Sequence, residues 1–161
     1  MADRREPRLK LFGAPALTAG DTTRPLSGER RDQLLVLLAL HSGEWVARDR
    51  AAGLLWPDRA MSEARRNLRK VLFRAHELPG TEGLQTNENA LRWPVASDLS
   101  DFRRALVEGR SADAIALPFA TLCEGLDAAC GDVLAEWLRG ERDHLTAQWQ
   151  RACAERLAGL E

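Results

Sequence analysis

A chain of 161 residues has room for one domain of ordinary size or two small ones. Cys123, Cys130 and Cys153 have neither C-x-x-C spacing nor an even count, so a disulfide frame and a zinc site are excluded, and no Gly-rich phosphate loop is present. The formal net charge of −1 hides an asymmetry, with 16 Lys/Arg against 12 Asp/Glu through residue 97 and 7 against 12 thereafter.

That split agrees with one half that reads DNA and another that faces a partner. Arg outnumbers Lys 21 to 2. A GC-rich genome accounts for most of the excess, although Arg is also the better bidentate partner for guanine and phosphate.

In chain order, Arg8 to Gly13 reads as a short strand, with Ala16 to Thr18 paired to it and a turn at Gly20-Asp21. Ser27 is the expected N-cap of a helix running to about His41. Its block from Leu34 to Leu40 is apolar nearly all round yet too short to span a bilayer, which makes it the central helix of a small core. Glu29, Arg30, Arg31 and Asp32 flank that block, and Gly43 ends the helix. A second helix fits Ala47 to Leu55, with Ala51, Leu54 and Leu55 inward and Arg48 and Arg50 outward, before Pro57 stops it.

The stretch from Arg59 to Arg74, RAMSEARRNLRKVLFR, carries the strongest pattern, and its helix is expected around residues 60–77. At about 100° per residue, Ala64, Leu68, Val71, Leu72 and Ala75 share one face. Ser62, Arg66, Arg69 and Lys70 share the opposite face, with Arg65, Asn67 and Arg74 along its flanks. One face docks on a core while the other presents a cationic stripe of the kind that enters the major groove. A charge run is more often just a solvated face, so position in the chain has to support the assignment. Phe73 is a bare aromatic on the polar side; packing against the second domain is the expectation, with contact to a thymine methyl as the other reading.

After Pro79-Gly80, Leu84 to Trp93 alternates as two strands around a turn at Asn87 and Asn89. Strands, three helices and a hairpin give a winged helix-turn-helix with an N-terminal sheet. Glu88 places an acidic group at the wing tip. Beyond it, Ser97 or Asp98 caps a helix from Leu99 to Glu108, with Leu99, Phe102, Ala105 and Leu106 inward. Gly109 ends that helix. Another fits Ala112 to Leu117, breaks at Pro118 and resumes through Leu122, followed by a loop from Cys123 to Gly131. A long helix from about Asp132 to Leu157 carries Val133, Leu134, Trp137, Leu138, Leu145, Trp149, Ala152 and Leu157 as apolar positions. Gly140 within it implies a close packing contact or a bend. Trp137 and Trp149 read as core anchors, with a dimer mate or a further C-terminal segment as the alternative partner for one of them.

Residues 8–97 resemble the OmpR-type winged helix of the Streptomyces antibiotic regulatory protein family, on LKLFG, RRDQLLVLLALHSGEWVARDRAAGLLWPD, ARRNLRKVLFRA and the closing LRW. Residues 98–158 resemble the start of the bacterial transcriptional activator domain, on SDLSDFRRAL, AIALPFATLCEGLD and EWLRGERDHLTAQWQRA. The resemblance implies a mainly α chain with small β elements. Residues 1–97 would form the DNA-binding domain and 98–161 the N-terminal part of an all-α, tetratricopeptide-like domain. That second domain is normally longer, so the chain reads as a fragment of a larger regulator or a short member, with Leu160-Glu161 as a cloning scar.

The expected function is a transcriptional regulator, an activator by resemblance, bound to double-stranded DNA. Arg66, Arg69 and Lys70 face the groove, Arg65 and Arg74 hold phosphates, and Ser62 and Asn67 are further base contacts. Arg48 and Arg50 either clamp phosphate or pair with Asp49 or Asp58, and Arg92 reaches the minor groove from the wing. RNA polymerase is a candidate partner, and self-association is expected through residues 132–158. The rival reading is a protein-interaction module whose winged helix has lost DNA binding, favoured by Glu63, Glu88 and the low charge. A Cys123–His144 catalytic pair lacks any accompanying motif, so no enzymatic activity, cofactor or metal is expected. The charged N-terminus without an apolar segment implies a cytoplasmic location and no membrane partner.

Overall fold

The computed structural model describes residues 6–159, so the N-terminal charged start and the reading of Leu160-Glu161 fall outside it. Two small sheets and six helices make up the fold. Strands β1 (Arg8–Lys10), β2 (Ala16–Ala19) and β3 (Thr22–Pro25) form an antiparallel meander. The turn between β2 and β3 uses Gly20, whose φ of +60° is the left-handed conformation glycine tolerates. A further strand, Ala96–Ser97, pairs in parallel with β1 at the sheet edge.

Helix α1 (Arg30–Leu40) is buried from Asp32 through Leu40, as its unbroken apolar run requires. It starts at Glu29, later than the Ser27 cap read from sequence, and has no side-chain cap. Ser27 acts the other way round: its backbone N–H and hydroxyl donate to the Asp32 carboxylate at 2.7 and 3.0 Å. Arg24 adds hydrogen bonds to both Asp32 oxygens, which is how a fully buried carboxylate is tolerated. Helices α2 (Arg48–Leu55) and α3 (Met61–His76) pack on α1 and on each other. The strand Val46–Ala47 before α2 pairs with Ala90–Arg92, which pairs with Gln85–Thr86, so the wing is anchored to the entry of α2.

Helix α4 (Asp98–Val107) opens with a reciprocal capping box between Ser97 and Ser100. Asp98 accepts hydrogen bonds from the backbone N–H groups of Leu11 (2.8 Å) and Phe12 (3.0 Å), joining this helix to the N-terminal sheet. Helix α5 (Ser111–Ala116) ends before Pro118 and does not resume toward Leu122. Residues 121–124 instead run beside residues 11–13, with Gly13 N–H on Thr121 O and Cys123 N–H on Leu11 O, both 2.7 Å. That extended pairing satisfies the backbone that a resumed helix would have used internally. The expected loop from Cys123 holds a short 3₁₀ turn at Leu126–Ala128.

Helix α6 (Asp132–Ala158) is continuous through Gly140. Apart from its chain neighbours and the helix's own backbone, no atom of a described residue lies within 4 Å of where a Cβ at Gly140 would sit, so the expected close contact is absent. One hydrophobic cluster links the segments before and after residue 97. Phe12, Phe102, Phe119 and Trp149 form a chain of aromatic contacts 5.1–6.1 Å apart, and Trp137 stacks on His41 at 5.3 Å. Both tryptophans are half-buried against the core. Arg103 on α4 donates to Leu40 O (2.8 Å) and Ser42 Oγ (2.7 Å), tying α4 to the C-terminal end of α1.

Candidate nucleic-acid interface

The helical period of α3 places Ala64, Leu68, Val71, Leu72 and Ala75 in the core, the five positions expected from the sequence. Ser62, Arg65, Arg66, Arg69, Lys70, Phe73 and Arg74 are exposed, and Asn67 is half-buried at the edge. Burial of one face fixes the rotation of the helix, so the cationic side points outward as a rigid consequence of packing. Arg66, Arg69 and Lys70 make no ion pair or hydrogen bond with a described side chain. They stand together on the exposed centre of the stripe.

The flanks differ from the expectation. Arg65 is held by Asp49 of α2 in a two-pronged pair, Nε to Oδ1 and Nη2 to Oδ2, both 2.7 Å. The guanidinium hydrogen bond holds the Asp49 carboxyl below its ordinary value and raises that of Arg65. Arg65 is therefore committed to a protein carboxylate, as a parallel fork geometry favours. Arg74 lies 3.7 Å from a Glu29 oxygen, an exposed contact that holds it only loosely.

Arg48 pairs with neither Asp49 nor Asp58. Its Nε donates to the Asn87 carbonyl at 2.9 Å and its backbone N–H to Asn89 O at 2.9 Å, so it braces the wing turn. Asn87 closes that turn by accepting from the N–H groups of Asn89 and Ala90 at 2.8 Å. Arg50 is exposed and unpaired among the described residues. Arg92 is not extended toward a groove. It donates to Gln85 Oε1 at 2.6 Å and lies over the Trp45 ring, 4.5 Å from its centroid.

A groove between the wing and α3 is lined by Arg48, Asp49, Arg65, Arg69, Glu88 and Asn89. Two carboxylates therefore share the wing side of the stripe with three cations. Phe73 does not pack on the second segment: it is 69% exposed and borders Arg66, Arg69, Lys70 and Arg74. Sequence reading offered Asp49 to Arg48 or Arg50 and missed it as the partner of Arg65, and it missed Trp45 as the partner of Arg92. The opposite charge of Asp49 at the start of the helix preceding the stripe was the available signal for the first.

Elsewhere, burial pushes the Cys123 thiol up to about 12, which keeps it protonated and inert as a nucleophile. Among the described residues no group of His, Cys, Asp and Glu is placed to hold a metal ion, and no helix is long and apolar enough to cross a membrane.

No protein-family model matches this chain, and no curated protein does. Among solved structures, Mycobacterium tuberculosis EmbR in complex with a low-affinity phosphopeptide is similar in fold, with a TM-score of 0.60 at 18% identity. The match covers 91% of this chain and 43% of the EmbR chain, so the chain spans less than half the length of that neighbour. The architecture of strands, three helices and a hairpin, followed by further helices, is thus one that EmbR shares.

Proposed function

We propose that this chain is a DNA-binding transcription regulator whose α3 reads the major groove. The observation that carries the reading is the trio Arg66, Arg69 and Lys70, unpaired among the described residues and held outward by the complete burial of the opposite face. Arg and Lys on an exposed helix can take guanine O6 and N7 or phosphate oxygens. Ser62 and Asn67 stand beside them, and Arg74 and Arg50 are free enough to meet phosphates at the margins. The braced wing, through Arg48 and Asn87, sets the second surface against the backbone.

The resemblance in sequence to Streptomyces antibiotic regulatory proteins and the fold shared with EmbR both support a regulator of this type, and the resemblance alone implies an activator. On this reading residues 1–97 are the DNA-binding domain. The segment from 98 is the start of a tetratricopeptide-like activator domain that serves dimerisation or contact with RNA polymerase. The protein works in the cytoplasm and has no enzymatic activity, cofactor or metal. Val133 and Leu157 on α6, 44% and 67% exposed, are apolar positions such self-association would cover. Light scattering over a concentration series tests it; a strict monomer at high concentration removes this part.

DNA binding itself is tested by fluorescence anisotropy on genomic fragments across a salt series, where groove binding weakens steeply as salt rises. The rival interaction-module reading draws on Asp49 and Glu88, the carboxylates beside Arg69 in the wing groove. An apolar protein interface would be nearly indifferent to salt.

A further inference from the structure

Phe73 is the one large apolar side chain on the exposed face of α3 next to the cationic trio. It stands four residues after Arg69 and seven after Arg66, so at about 100° per residue these three side chains fall within an arc of about 60°. Ser62 lies in the same arc. The ring is 69% exposed and takes no part in the aromatic chain that joins Phe12, Phe102, Phe119 and Trp149. It borders a shallow depression together with Arg66, Arg69, Lys70 and Arg74.

A surface that covers this depression must satisfy two demands at once. Four cations call for an anionic ligand, and the ring among them calls for an apolar spot inside it. The major groove of duplex DNA has both, because phosphates line its rim and the 5-methyl group of thymine is an apolar substituent displayed on its floor. The seven-residue offset between Arg66 and Phe73 spans about 10.5 Å along the helix, roughly three base-pair steps of 3.4 Å.

We infer that Phe73 contacts the 5-methyl group of a thymine about three base pairs from the base read by Arg66, and so sets part of the sequence preference. The inference rests on the DNA-binding reading above and deepens it. Arg66 supplies hydrogen bonds, while Phe73 supplies shape and the exclusion of water around the methyl.

The test selects preferred sites for the wild-type chain from a pool of randomised duplexes, then replaces each thymine of a selected site by deoxyuridine, which lacks only that methyl. Wild-type affinity is expected to drop about fourfold at one or two positions, the scale of one buried methyl group. Phe73→Ala, a change at an exposed site whose fold is checked by circular dichroism, is expected to bind the thymine duplex correspondingly less well. It should no longer distinguish thymine from deoxyuridine. Wild-type indifference to every deoxyuridine overturns the inference, as does a Phe73→Ala variant that keeps the discrimination. If Phe73→Ala leaves DNA binding untouched, the ring serves an acidic protein surface instead, and the inference falls while the DNA reading stands. If the wild type enriches no sequence, and an Arg66→Ala, Arg69→Ala, Lys70→Ala variant binds as the wild type does, the DNA reading falls and takes the inference with it.

Discussion

Arg65 of α3 and Asp49 of α2 face each other through two hydrogen bonds of 2.7 Å, so a flanking cation of the stripe is already neutralised before any ligand arrives. Both side chains are half-exposed, so the pair adds little to stability but sets which cations are free. The Asp49 carboxyl is held low, and the pair therefore persists from neutral pH down into the acid range, loosening only as pH falls through that lowered value.

Asp49→Asn should release Arg65 toward phosphate. DNA affinity is expected to rise, and the slope of log affinity against log salt should steepen by about 0.9, the increment of one more phosphate contact. Anisotropy titrations of both proteins across the same salt series check it; an unchanged slope means Arg65 does not reach the backbone.

The pattern of α3 was readable because its apolar residues recur at helical spacing over about three turns, and packing obeyed that period. Helix α1 and the Asn87–Asn89 turn were readable for similar local reasons. The strands Thr22–Pro25, Val46–Ala47 and Ala96–Ser97 were not, since two to four residues carry no usable alternation, and the partners of the last two lie far along the chain. The pairs Arg65–Asp49, Arg48–Asn87 and Arg92–Trp45 likewise depend on tertiary contact, which no spacing rule encodes. Phe73 was misread because a large aromatic is usually a packing residue, and only the structure shows its ring exposed.

Gly140→Ala is expected to stabilise the protein by about 1 kcal/mol, since the residue sits inside α6 with open space around its Cα. Urea denaturation followed by circular dichroism measures the shift. A loss of stability would mean that a ligand or second copy packs against this glycine.

Asp98→Ala removes the acceptor for three backbone N–H groups, at Leu11, Phe12 and Leu99, and should cost about 2 kcal/mol. Ser97→Ala breaks only the capping box and should cost about 1 kcal/mol. The larger effect at Asp98 in urea titrations would mark it as the joint between the sheet and α4.

Cys123 has its pKa raised by burial to about 12, so the folded state resists ionising it while the unfolded chain does not. Its contribution is complete below the unfolded thiol value near 8.5 and is lost as pH rises toward 12, on the order of 1 kcal/mol per pH unit. Stability measured between pH 8 and 11 should fall less steeply in Cys123→Ala than in the wild type, and the native thiol should resist labelling at pH 8.

The most direct measurement is anisotropy on genomic fragments over a salt series for the wild type and a variant with Arg66, Arg69 and Lys70 changed to Ala. The account predicts tight, salt-sensitive binding by the wild type, with affinity and salt slope both lost in the variant. Absence of wild-type binding at low salt, or binding that the variant keeps with the same slope, would contradict a groove-reading role for α3.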